Sequence, residues 1–74
     1  MIDFDMIETG KRIKELRQEL KMSQTKLAEL IGVAQNTIAQ YEKGIAKTSV
    51  DILVKLTVVL ETTSDYLLGL KDDF

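Results

Sequence analysis

A chain of 74 residues and about 8.4 kDa is one small domain, and at that size folding buries only about 60% of the surface the unfolded chain exposes. It contains no Cys and no His, so disulfides and a Cys/His zinc site are excluded as staples, and the commonest nucleophile, general base and transition-metal ligands are missing. At 45% hydrophobic and 30% charged residues the composition is globular rather than disordered. The longest apolar runs, such as Ile52-Leu53-Val54, last three residues, too short for a membrane span or the core of a signal peptide. The remaining reactive groups (Asp, Glu, Lys, Ser, Thr, Tyr) are scattered, so no enzyme, metal site or cofactor site is expected, and a binding module is the default class. The net charge of −2 is unevenly spread. Asp3, Asp5 and Glu8 precede residue 9, and Asp65, Asp72 and Asp73 lie near the C-terminus, partly offset by Lys71. From Thr9 to Ser64, nine basic residues face six acidic ones, leaving a mildly basic middle between acidic ends.

The first seven residues alternate, with Ile2, Phe4 and Met6 set against Asp3 and Asp5, a pattern that fits an edge strand or an arm laid on the body. Ile13, Leu16 and Leu20 then repeat at i, i+3 and i+7, with Met6 and Ile7 as extensions of the stripe, and predict a first helix over roughly 7–20. Ser23 is a good N-cap for a short second helix bearing Leu27, Leu30 and Ile31, stopped by Gly32. A third helix opens at Ala34 or Gln35, turns Ile38 and Tyr41 inward and ends near Lys43-Gly44. Thr48 or Ser49 caps a fourth, whose apolar stripe is Ile52, Leu53, Leu56, Val59 and Leu60. Ser64 and Asp65 open a last short helix through Tyr66, Leu67 and Leu68, ended by Gly69. The expected fold class is all-α, a five-helix domain over 9–70 with an arm or helix extension over 1–8 and a tail over 71–74.

Residues 23–42 hold the arrangement with functional content. Two helices of about eight residues meet across a short turn containing Gly32, with small Ala28 at the close approach, Val33 plugging the core beneath the turn, and Ile38 on the inward face of the second helix. This is a helix-turn-helix pattern, whose second helix can lie in the major groove of DNA; an αα-hairpin serving only as core is the alternative reading of these residues.

Several stretches in order, G-K-R-I-K-E-L-R at 10–17, S-Q-T-K-L-A at 23–28, G-V-A-Q-N-T-I-A-Q-Y-E-K-G at 32–44 and D-Y-L-L-G at 65–69, resemble the Cro/phage-repressor helix-turn-helix family. The resemblance runs from about Gly10 to Leu70 and implies a lambda-repressor-like domain that binds double-stranded DNA. Carried over residue by residue, it implies that Gln35, Asn36 and Gln40 project from the third helix toward base edges, with Ala34 and Thr37 beside them. Gln24 would bond a phosphate and brace the recognition helix, and Thr37 would reach a phosphate or a thymine methyl. Lys43, Gly44 and Lys47 would follow the DNA backbone, with Lys26 and Lys21 as further cations. Arg17 and Glu42 match an ion pair between the first and third helices that would steer Arg17 toward the phosphates.

Gln and Asn match adenine in a bidentate pair, whereas guanine prefers Arg or Lys, and the helix from 35 to 42 holds neither cation. A·T pairs are therefore expected beneath Gln35, Asn36 and Gln40. Where relatives carry a basic residue and then Pro between the third and fourth helices, Ile45-Ala46-Lys47-Thr48 has no Pro and a single cation. Val58 and Thr62 exchange the polar and apolar characters usual at their positions. Val58, Leu67, Leu70 and Phe74 form a candidate dimer surface, expected to serve if the chain is the whole protein rather than the front of a longer repressor. The leading expectation is a dimeric repressor reading a pseudo-palindromic operator in the cytoplasm, on the nucleoid of a bacterium or phage host. The alternative is a protein-interaction module on the same fold, favoured by the net negative charge and the apolar patch.

Overall fold

The computed structural model describes residues 5–70, and within them the chain forms five helices and no strand. The helices are α1 (Met6–Glu19), α2 (Gln24–Ile31), α3 (Gln35–Lys43), α4 (Val50–Val59) and α5 (Ser64–Leu67). Residues 1–4 and 71–74 lie outside the described residues, and with them most of the alternating N-terminal segment, the tail and Phe74. Where the alternation enters the described residues it is helical: Asp5 is the N-cap of α1, its carboxylate accepting from the Ile7 and Glu8 amides, while Met6 is buried and Ile7 exposed.

Four helices begin on a side chain that accepts one of the unpaired first-turn N–H groups: Asp5, Ser23, Ser49 and Thr63. α5 opens at Ser64, as expected from sequence, with Thr63 as its cap. α3 differs, since Ala34 offers no side-chain cap.

The C-terminal ends share one geometry. After each helix one residue takes a left-handed conformation, and the next amide reaches back five residues to a carbonyl: Met22 to Arg17, Val33 to Ala28, Ile45 to Gln40, Thr62 to Thr57 and Leu70 to Asp65. The left-handed residue is Gly32, Gly44 and Gly69 in three ends, and Lys21 and Glu61, both at φ 56°, in the other two. A non-glycine residue in that conformation costs about 1–2 kcal/mol, so α1 and α4 stop where composition does not favour it.

Every helix sends at least one side chain into a single core. Ile13 and Leu16 come from α1, Leu27 and Ile31 from α2, Ile38 and Tyr41 from α3, Leu56 from α4, and Leu67 from α5, joined by Leu60 just after α4. Leu30, on the expected apolar stripe of α2, is about half exposed instead. Leu67 is fully enclosed, which removes it from the candidate dimer surface: with α5 only four residues long, its single inward position goes to the core.

α3 lies against α1 at a backbone-to-backbone contact made possible by Gly10. A Cβ at residue 10 would meet the Tyr41 carbonyl oxygen in hard overlap and come within 2.6 Å of that of Glu42. A glycine inside a helix costs about 1 kcal/mol in propensity, a cost offset here by the approach it permits. Arg12 ties α1 to α5: its guanidinium donates to Glu8 and to the Tyr66 carbonyl at 2.7 Å and stacks over the Tyr66 ring at 4.5 Å.

Gly10→Ala is expected to destabilise the fold by about 1–3 kcal/mol or more, because the clash is with backbone that cannot rotate away. Lys21→Gly and Glu61→Gly are each expected to stabilise by about 0.5–1 kcal/mol, the left-handed strain removed exceeding the entropy glycine adds to the unfolded chain. Urea unfolding of the three variants measures both signs; destabilisation by the two new glycines would mean their side chains contribute packing the geometry does not reveal.

Candidate nucleic-acid interface

α2 and α3 meet across the three-residue turn Gly32–Ala34. Gly32 supplies the left-handed turn with open space around it, Ala28 is buried at the helix crossing, and Val33 packs half-buried against the core. α3 is thereby divided lengthwise. Ile38, Tyr41 and Glu42 are buried, whereas Gln35 and Asn36 are exposed and Thr37, Ala39 and Gln40 partly so. The outward residues lie along one side of a helix that is pinned from behind by α1 and α2.

The pin is a polar network. Arg17 Nε donates to Glu42 Oε2 at 2.6 Å and its Nη2 to Glu42 Oε1 at 3.0 Å, a bidentate pair linking α1 to α3. Arg17 Nη1 donates to the Met22 carbonyl at 2.8 Å, binding the loop that leads into α2. Gln24 Nε2 donates to Glu42 Oε1 at 2.9 Å, and Gln35 Nε2 in turn donates to Gln24 Oε1 at 2.6 Å. One charged pair inside therefore holds, through Gln24, the amide of an exposed residue on α3.

The side chains of Arg17 and Glu42 are 10% and 3% accessible, so the pair is desolvated and only its hydrogen bonds make that tolerable. With its guanidinium turned inward onto Glu42 and Met22, Arg17 forms the expected α1–α3 pair and braces the start of α2. Gln24 sits between Glu42 and Gln35 in the same brace.

Lys26 on α2, Lys43 at the end of α3 and Lys47 in the following loop are all solvent-exposed, as is Lys21 between α1 and α2. Gly44 faces inward instead: a Cβ there would lie 2.7 Å from the Ile7 Cα, so its φ of 78° and its lack of side chain both serve the contact between the end of α3 and the start of α1. Of the candidate dimer residues, Val58 and Leu70 are exposed. Among the described residues there is no group of carboxylates suited to a metal ion, and no helix is long and apolar enough to cross a membrane.

Residue-level reading overlooked Gly10 and Arg12. Glycine within the second turn of an otherwise good helix pattern was the available signal for Gly10. Nothing local pointed from Arg12 to Tyr66, 54 residues away.

A buried α1–α3 brace behind an outward-facing α3 defines a helix-turn-helix DNA-binding domain. Comparison with known proteins agrees: the helix-turn-helix family model matches residues 13–67, and the chain belongs to that family, of the Cro and phage-repressor type. The HTH-type transcriptional regulator ImmR of Bacillus subtilis is 38% identical over 64 residues, which is 86% of this chain and 50% of ImmR. The crystal structure of the P22 c2 repressor with a synthetic operator superposes with a TM-score of 0.79 at 33% identity, covering 81% of this chain and 91% of that one. The restriction-modification controller C.AhdI of Aeromonas hydrophila gives a TM-score of 0.79 at 30% identity, over 85% of this chain and 96% of its own. The chain spans about half the length of ImmR, and 16% of a putative transcriptional regulatory protein of Pyrococcus furiosus that it also matches.

Glu42→Ala is expected to cost about 3–5 kcal/mol, because it strands Arg17 in the interior, and that approaches the whole stability of a domain this small. The double substitution Arg17→Met/Glu42→Leu should recover most of the loss. Unfolding curves for the single and double variants decide it; equal destabilisation of both would mean that the pair's value lies in geometry rather than in relieved charge.

Proposed function

We propose that this domain is the sequence-specific DNA-binding unit of a dimeric transcriptional repressor, acting in the cytoplasm on a pseudo-palindromic operator, with α3 of each copy in the major groove. The observation that carries this reading is the lengthwise division of α3, with Gln35, Asn36 and Gln40 outward on a helix held rigidly by the Arg17–Glu42–Gln24 brace. A merely structural hairpin has no need to preorganise the amide of an exposed glutamine.

Gln35, Asn36 and Gln40 read base edges, and as amides they favour adenine. The Gln35 amide keeps its Oε1 and second N–H for a base while its first N–H is held by Gln24. Thr37 lies beside them for a phosphate or a thymine methyl. Ala34 leaves the first-turn N–H groups of α3 without a side-chain acceptor, suited to a phosphate oxygen. Lys26, Lys43 and Lys47 supply the cationic contacts, with the backbone at Gly44 alongside. With about three or four phosphates neutralised per copy, a dimer has a salt slope of roughly −5 to −7, and the acidic ends limit nonspecific adhesion.

Selection from random duplex DNA at about 100 mM salt is expected to recover an inverted repeat rich in A·T pairs, with half-sites one helical turn, about 34 Å, apart. Replacing Gln35, Asn36 or Gln40 by Ala should each cost about 1–3 kcal/mol of specific binding and leave the folded spectrum unchanged. Recovery of G at all three contacted positions would overturn the amide reading. No enrichment at all would favour the protein-interaction module.

A further inference from the structure

α4 is apolar around most of its circumference, yet only one side of it is covered. Leu56 is buried and Ile52, Leu53 and Val59 half-buried against the core, to which α2 and α5 contribute from either side. Opposite them, Val50, Val54 and Val58 are 76%, 56% and 72% exposed. Their i, i+4, i+8 spacing makes one row along the helix, drifting by about 40° per step. Asp51 and Lys55, both exposed, form the adjacent row, and among the described residues neither makes an ion pair.

Single exposed apolar residues are ordinary. A continuous row of β-branched residues on the solvent face is not, since valine loses side-chain freedom in a helix and gains no packing in return. A local choice that works against the monomer points to a face that is covered in the working state.

We infer that this face of α4 takes a second copy of the same chain, in an antiparallel helix pair whose two-fold axis passes at Val54. The inference rests on the dimeric reading proposed above and assigns the surface through which the dimer forms. Val54 meets its own copy there, and Val50 meets the partner's Val58.

An antiparallel pair sets each flank of the helix against the same flank of its mate, so the Asp51–Lys55 row faces itself. Asp51 then lies within about 3 Å, along the axis, of the partner's Lys55, a contact made twice against a single approach of Lys55 to the partner's Lys55 at the same axial spacing. In a parallel pair the charged flank would face Leu53 and Thr57 on the opposite flank, leaving both charges unmet. The self-complementary charge is what selects a second copy over a foreign helix.

Two ten-residue helices bury less than the roughly 1,200 Å² of a stable interface, so the pair is weak in free solution and completes on DNA, where both copies are held together.

Sedimentation equilibrium of the 74-residue chain, together with the cooperativity of loading both half-sites of the selected operator, tests the assignment. Val54→Glu is expected to weaken both readouts by about tenfold or more. Asp51→Lys should weaken them several-fold, and Asp51→Lys/Lys55→Asp should restore them, while thermal unfolding confirms that each variant is folded. Because the chain has no cysteine, Val54→Cys alone should yield a symmetric disulfide dimer under mild oxidation, and Lys14→Cys should not. If Val54→Glu loads both half-sites as cooperatively as the parent, or the charge swap fails to restore what Asp51→Lys loses, the dimer forms through another face and only this assignment falls. If the parent itself binds a single half-site without cooperativity, the dimeric reading falls with it.

Discussion

The buried pairing of Arg17 with Glu42 is the constraint on which the outward geometry depends. Two opposite charges have been taken out of water, and the arrangement is tolerable only because every acceptor of Glu42 and most donors of Arg17 are engaged. Gly10 makes this pairing possible by letting the α1 backbone rest on the carbonyls of Tyr41 and Glu42. Contact and ion pair meet α3 at the same residue. The helix is thus fixed in both position and rotation, and rotation decides which side chains face outward.

From that point the network runs outward in order of falling charge and burial. A guanidinium–carboxylate pair in the interior holds a half-buried Gln24, which holds an exposed Gln35. Neutral amides at the surface carry no charge to bind polyanions indiscriminately, so orientation is what they contribute. An amide free to rotate presents donor and acceptor interchangeably; one whose first N–H is already committed presents a fixed pattern. Under the proposed reading, preorganisation of this kind would convert a chemically bland surface into a discriminating one.

Much of the architecture was legible because the signals were local. Apolar period placed the first four helices, Ser23, Ser49 and Ser64 marked starts, and Gly32, Gly44 and Gly69 marked stops, each through preferences that operate within a few residues. What escaped was non-local. Lys21 and Glu61 adopt the left-handed conformation that glycine favours, and no composition rule anticipates that. Leu67 turned inward because α5 is a single turn, too short for periodicity to distinguish a core position from a surface one. The inward turn of Arg17 follows from Met22 and Glu42 offering three acceptors at once, a convergence that requires three segments to be assembled first. The Val50–Val54–Val58 row was overlooked for a different reason: in a helix apolar all round, only the fold reveals which stripe is left uncovered.

The sparse cations and the uncovered α4 face bear on the same energetic problem. With exposed lysines few around α3 and acidic residues at both ends of the chain, one copy gains little from phosphate neutralisation, and a single short helix reads only a few base pairs. Neither term alone supplies the specificity needed against a genome of competing sites. Linking two such copies makes the second binding event intramolecular and multiplies the discrimination of both half-sites without adding a new contact to DNA. A strong dimer would achieve that equally well, but would also raise affinity for nonspecific sequence, which the low charge otherwise suppresses. In the proposed dimer, a weak, self-complementary helix pair would add its energy only when two correctly spaced half-sites bring two copies together, so that the spacing of the operator would become part of what is read.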